Sequence, residues 1–282
     1  MKILIVGNSS VIGQAFATAL KPYGEICMAG RKNADIFFDL AECNKTPETD
    51  EKFDVVLHVA GDFGGCTDDD FVRAETVNAV GTLSACRLAH HVQAKHFVLL
   101  SSIFANYHND DPFYGIYALS KRHGEEVAKF FCSERNIDLT ILRPSQVYDD
   151  AGACRKHQAL LYVMADRAEA GDEINVFGTH DARRNYIYLD DLAQICRRVI
   201  QQSFTGTYIC AHPQSVTLSE MANAAFAAFG KEVKIKFLSE KPNLSDLPPL
   251  NLDGLYQQID YWPTVNINEG FIRIKQYREI NF

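Results

Sequence analysis

No stretch of this 282-residue sequence approaches the roughly 20 consecutive apolar positions that a bilayer-crossing helix requires, so a soluble protein is expected. Positive charge is also in short supply: 28 Lys and Arg stand against 36 Asp and Glu, a formal charge of −8. A general nucleic-acid binder needs the reverse surplus to displace counterions from phosphates, and the balance argues against that class. The eight cysteines (Cys27, Cys43, Cys66, Cys86, Cys132, Cys154, Cys196 and Cys210) contain no C-x-x-C pair. Neither a zinc site nor a disulfide scaffold is suggested, and buried or incidental thiols in a reducing cytoplasm are expected. His90, His91 and His96 have no carboxylate or cysteine at ligand spacing; they read as surface histidines, and no metal is expected. The opening run Ile3-Leu4-Ile5-Val6 is too short for a signal-peptide core and reads as a buried first strand. Internal repeats and low-complexity tracts are missing too.

What is present is an ordinary folded composition, 47% hydrophobic and 23% charged, long enough for one large or two joined domains. In the first half, short apolar runs at 2–6, 25–28, 54–60, 97–101 and 138–142 alternate with amphipathic stretches at 11–20, 77–91 and 117–135. Apolar runs without polar alternation, separated by helices, are what a parallel sheet covered on both faces requires. After Pro144 the texture breaks. A polar stretch at 149–157 leads into a helical segment, strands at 173–177, 185–189 and 206–210, helices at 190–201 and 219–229, and a Pro-rich loop at 241–249.

The turn Gly7-Asn8-Ser9-Ser10-Val11-Ile12-Gly13 lies between the first strand and first helix. A dinucleotide's pyrophosphate needs a tight turn, close backbone approach and free amides at a helix N-terminus there. Gly7 supplies the turn and Gly13 close helix–strand packing, while Ser10 replaces the middle glycine of the usual fingerprint. The second strand ends in Arg31-Lys32 where an acidic residue would grip the ribose of NAD; Arg31 points to NADP, with NAD the alternative. Downstream, Tyr117 and Lys121 stand one helical turn apart. An ammonium beside a phenol stabilises phenolate and lowers its pKa, which would let Tyr117 exchange a proton with a carbonyl oxygen. Ser101-Ser102 closes the 97–101 strand at its C-terminal end, where α/β sheets place their ligands, and Ser102 would bond the same oxygen. The expected fold is α/β: a Rossmann-type doubly wound parallel sheet at 1–145 and 185–211, with a smaller, discontinuous α/β substrate-binding domain at 146–184 and 212–282.

Together these features resemble the extended short-chain dehydrogenase/reductases, the NAD-dependent epimerase/dehydratase group acting on nucleotide sugars. The residues at 54–61 resemble the family's fourth strand with its cofactor-lining tip Val59-Ala60-Gly61. Asn78-Ala79-Val80-Gly81-Thr82 resembles its N-x-x-G-T helix start, 97–103 its serine strand, and Leu142-Arg143-Pro144-Ser145-Gln146-Val147-Tyr148 its L-R-P-x-x-V-Y-G segment. Arg184-Asn185-Tyr186-Ile187-Tyr188-Leu189-Asp190-Asp191 resembles R-D-F-x-x-V-x-D, and 262–270 the closing segment. The resemblance implies that Asp39, with Leu40, contacts the adenine and that Asn78, Leu100, Ser101, Pro144 and Val147 line the cofactor with the loop residues Gly7, Asn8, Ser10, Val11, Ile12 and Gly13. It implies Ser102, Tyr117 and Lys121 as catalytic residues and Ser102, Gln146 and Arg184 as contacts to a nucleotide-diphosphate sugar. Departures are Ser10, Asn185 for Asp, Asp149 for Gly, Gln146 for Asn, and a short segment between Ser102 and Tyr117. A dehydratase is disfavoured because no Asp-Glu pair follows the serine. The reading is an NADPH-dependent reductase of a 4-keto-deoxyhexose. The alternatives are a 4-epimerase with tightly bound NAD and, in another class, a non-catalytic cofactor-sensing regulator. A homodimer through 77–91 and 117–135 is a further expectation.

Overall fold

A computed structural model describes residues 1–42, 49–252 and 254–281; Cys43 lies outside them. The chain divides into two compact units, Met1–Pro144 with Ala193–Ile209, and Ser145–Leu192 with Cys210–Phe282.

The first unit is built on β1 (Lys2–Val6), β2 (Glu25–Gly30), β3 (Ile36–Phe37), β4 (Val55–His58), β5 (His96–Leu100) and β6 (Asp138–Pro144). These six run parallel, and with Gly206–Cys210 they form a seven-stranded sheet in the order Gly206–Cys210, β6, β5, β4, β1, β2, β3. The central strands are buried without alternation, every residue of β4 and β5 and four of the five in β1, because helices cover both faces. Strand order reverses between β1 and β4, and in such sheets the crevice outside the strand ends at this point is where ligands bind. Helix α1 (Val11–Leu20) starts on the Ser10 cap and buries Gly13, Phe16 and Leu20.

Helix α2 (Asp68–Glu75) went unread in the hydropathy pattern, although its start is written in the sequence. Thr67 and Asp70 form a reciprocal capping box, with three aspartates in the first turn facing the positive end of the helix dipole. A π turn, Thr76–Val80, links it to α3 (Gly81–His91), and α4 (Ile116–Arg135) packs against both. His90 and His91 are exposed as expected, but His96 is not a surface residue. It is 4% exposed because it opens the central strand β5, and its Nε2 meets Thr140 Oγ1 at 2.7 Å. Cys66 is exposed and the other described cysteines are buried. Among the described residues, no helix is long and apolar enough to cross a membrane.

The second unit consists of short strand pairs: Gln146–Tyr148 with Tyr186–Tyr188, Arg183–Arg184 with Val216–Thr217, and Ile174–Phe177 with Ile235–Leu238. Helices Ala159–Ala170, Leu218–Phe229 and Ile267–Asn281 pack together beside them. The segment returning to the first unit is Ala193–Ile209 rather than 185–211, since Tyr186–Tyr188 finds its backbone partners on Gln146–Tyr148. Asp149 earns its departure from glycine. Its carboxylate accepts from the Ala153 and Cys154 amides at 2.9 and 2.8 Å and from the Tyr162 hydroxyl at 2.5 Å, fixing the turn after the strand. Asp191, 2% exposed, accepts from Tyr261, Thr264 and Val265 and so pins the 261–265 segment.

Candidate active site

Gly7 has φ +123°, a conformation L side chains rarely adopt, and a Cβ on it would lie 2.8 Å from the Ala60 amide nitrogen. A Cβ on Gly13 would lie 2.9 Å from both Gly7 O and Val59 Cγ2. The loop after β1 is therefore pressed onto the tip of β4, and only glycine fits at both points. Ser10 caps α1 by accepting from the Gly13 amide at 3.3 Å, and Val11 and Ile12 open the helix where backbone N–H groups have no intrahelical partner. A cradle of bare backbone at a helix N-terminus fits a dinucleotide's pyrophosphate.

Asn8 ties this loop to the end of β2. Its Nδ2 donates to Lys32 O at 2.9 Å and Asn33 O at 2.6 Å, setting the turn from which Arg31 and Lys32 project into solvent. Asp39 is half-buried and its carboxylate accepts from the Ala41 amide at 3.0 Å, within its own turn. Leu40 is buried against Gly81, where a Cβ would approach its own Cβ to 2.9 Å.

Beyond β4, a Cβ on Gly61 would meet Lys121 Nζ at 3.0 Å and Asn78 Oδ1 at 3.2 Å. Asn78, 2% exposed within the π turn, donates to Asp62 O at 2.7 Å and Ser120 Oγ at 2.9 Å while its Oδ1 accepts from the Asp62 amide at 2.8 Å. Single π turns recur at functional sites because they turn one side chain out of helical phase. Lys121 Nζ donates to Leu100 O at 3.0 Å at the end of β5.

Burial pushes the Tyr117 hydroxyl up to about 12, and a hydrogen bond with Ser102 only partly opposes this. The Tyr–Lys spacing suggested the reverse. Burial draws the Lys121 ammonium down to about 8, with Glu125 acting against it, and its proton is already shared with a carbonyl. The Tyr117 ring stacks on Phe63 at 4.9 Å between centroids and meets Phe104 edge-on at 6.2 Å. Phe63, Ser120 and Glu125 were not anticipated at this site. The i, i+4 step from Lys121 to Glu125 is the signal that could have found the last of them; nothing local marks Phe63.

The first unit thus gathers the loop, the β4 tip, Asn78, Leu100, Ser101, Ser102, Tyr117 and Lys121 around the ends of β1, β4 and β5, with Pro144 closing β6. In the second unit, Gln146 stands opposite Tyr186 in the strand pair, and Val147 is buried opposite Ile187. Gln146 Nε2 donates to Gln158 Oε1 at 3.1 Å. Arg184 is 8% exposed, and its Nη1 donates to Arg183 O at 2.8 Å and Ser245 O at 2.7 Å. Asn185, where the resemblance leads one to expect Asp, donates to His212 O at 2.8 Å.

The family profile described as "NAD dependent epimerase/dehydratase family" matches residues 3–210. A dTDP-4-dehydro-6-deoxy-D-allose reductase of a Streptomyces species is 25% identical over 149 residues, covering 52% of this chain and 45% of the relative. The match to that relative thus spans less than half of its length. UDP-glucuronate 4-epimerase 6 of Arabidopsis thaliana is 22% identical over 96% of this chain and 70% of its own. The solved Bacillus cereus UDP-glucuronic acid 4-epimerase, in complex with UDP-glucuronic acid and NAD, has the same fold, with a TM-score of 0.78 at 16% identity over 100% of both chains.

Proposed function

Since the chain belongs to the NAD dependent epimerase/dehydratase family, we propose that it reduces the C4 ketone of a nucleotide-linked deoxy sugar with NADPH. The observation that carries the oxidoreductase reading is the joining of Ser102 to Tyr117 and of Lys121 to Leu100 O at one strand end, beside Gly61 and Asn78. The exposed Arg31-Lys32 tip, anchored through Asn8, favours NADPH, because a guanidinium suits a 2′-phosphate.

A nicotinamide cofactor held at the 7–13 loop and Lys121 would supply the hydride. Tyr117 gives its proton to the ketone oxygen; a pKa near 12 keeps it protonated at neutral pH, as an acid must be. The Ser102 hydroxyl donates to the same oxygen, and the Lys121 charge stabilises the phenolate left behind. In the other unit, Gln146 and Arg184 hold the diphosphate. The first unit is the dinucleotide-binding domain and the second the substrate-binding domain. A homodimer pairs α3 and α4 with their copies, with Phe130 (72% exposed) and Val80 (41%) as apolar contact points.

A second reading, a nucleotide-sugar 4-epimerase with retained NAD, draws support from the whole-length likeness to 4-epimerases. Mixing the protein with NADPH and a panel of nucleotide 4-keto-6-deoxy sugars tests the choice. Loss of nicotinamide absorbance with one of them is the expected result. No loss with any, alongside NAD that copurifies with the protein, rejects the reductase in favour of the epimerase.

A further inference from the structure

Along α4, Tyr117, Lys121 and Glu125 follow at four-residue spacing and share one face. Three consecutive residues at the end of β5 meet that face. Ser102 bonds Tyr117, Leu100 O accepts from Lys121 Nζ at 3.0 Å, and the Ser101 hydroxyl donates to Glu125 Oε1 at 2.5 Å. Glu125 is completely buried. Arg143 on β6 grips it from the other side, donating Nε to Oε1 at 2.8 Å and Nη2 to Oε2, and its Nη1 reaches Asn106 Oδ1. A carboxylate this deep is retained only with such a fork of donors. The contacts of Ser101 and Arg143 to Glu125 take no part in the proton transfer by Tyr117 itself.

Resting on the oxidoreductase reading, we propose that Glu125 is a positioning residue. Anchored by Arg143, it holds α4 in register with the end of β5 and sets a negative charge one helical turn from Lys121, keeping that ammonium charged where it acts. The groups around Lys121 leave this task to Glu125. His58 on β4, pushed down to about 3 by burial and then by the Lys121 charge, is neutral. Asn78 from the π turn and Leu100 O from β5 are uncharged, and Tyr117 is protonated. Arg143 bonds Glu125 through Nε and Nη2, and the charge that acts on Lys121 is that of Glu125. Burial draws Lys121 down to about 8 even with Glu125, the group that opposes it, in place.

The test reads Lys121 directly. Lysine labelled with carbon-13 at Cε is titrated by NMR, the Lys121 resonance being the one lost in Lys121→Arg. Glu125→Gln keeps the shape and removes the charge; the double variant Glu125→Gln with Arg143→Gln also removes the stranded cation, so that one folded form is in hand. Both are expected to lower the Lys121 midpoint by about half to one pH unit. The alkaline limb of kcat/KM is expected to fall with it. An unmoved midpoint in a folded variant overturns the proposal, and so does a limb that stays in place while the midpoint moves. A wild type that transfers no hydride at any pH, with midpoints shifting as expected, refutes the oxidoreductase reading and leaves the placement of Lys121 intact.

Discussion

The two sets of candidate residues are held in opposite ways. Around Tyr117 and Lys121, the side chains hold one another and the tips of adjacent parallel strands, and their partners lie on regular elements. Around Arg184, the guanidinium is fastened by backbone carbonyls, one of them Ser245 O from a loop 61 residues further on. The first arrangement is rigid and suits atoms that must meet within tenths of an ångström. The second depends on a segment, 241–249, with neither helix nor strand, and suits recognition that can change from one substrate to another. Under the proposed function, chemistry would sit on the sheet and selectivity on the loop.

The sharpest break of that contrast is Tyr117→Phe. It is expected to lower kcat by roughly 10²–10⁴-fold with substrate KM and melting temperature nearly unchanged. Full activity in this variant would remove the chemistry from the first unit and revive the non-catalytic, cofactor-sensing alternative. Arg184→Gln should act the other way, raising KM for the nucleotide sugar by about 10- to 100-fold with a smaller change in kcat, as loss of a hydrogen bond to a charged group implies. Steady-state kinetics with a working substrate would show it, and a pure kcat effect would collapse the comparison.

Arg31→Glu tests the cofactor end of the first unit. The ratio of NADPH to NADH efficiency should fall by about tenfold or more, since like charge then faces a 2′-phosphate. A further effect is on stability. Folded Lys121 loses its proton near pH 8, whereas an unfolded lysine holds it to 10.5. The unfolded chain therefore binds more protons between those values, and this residue's contribution to stability rises with pH from about 8 to 10.5. Denaturant melts of wild type and Lys121→Met across that window should show the rise in the wild type alone.

Much of the first unit was legible because its information is local. Unalternating runs such as Ile3-Leu4-Ile5-Val6 and Phe97–Leu100 can only be strands covered on both faces, and Gly7 and Gly13 sit where the turn needs them. What escaped was long-range or out of phase. His96 is polar in composition yet buried by its place in the sheet, and Asn78 faces Ser120 only because a π turn interrupts the helical period. In the second unit, helix Ile267–Asn281 went unread because its buried positions Gly270, Phe271 and Ile274 carry a weak pattern, one of them having no side chain at all. The distant partner of Arg184 could not be read from its neighbours, since Ser245 O arrives from a loop whose Asp246 and Leu247 bond Arg183.

The π turn at Thr76–Val80 also fixes where this chain can change its length. It holds one residue more than a regular helix would, and removing that residue would restore the helical period with the flanking helices left in phase. Asn78 would swing away from Ser120, while the face carrying Ala85, Leu88 and Ala89 would keep its place in the core. A deletion of one residue here would therefore spare the packing and remove the Asn78 contacts to Asp62 and Ser120, so lineages of this protein that keep those contacts should agree, to the residue, at the turn.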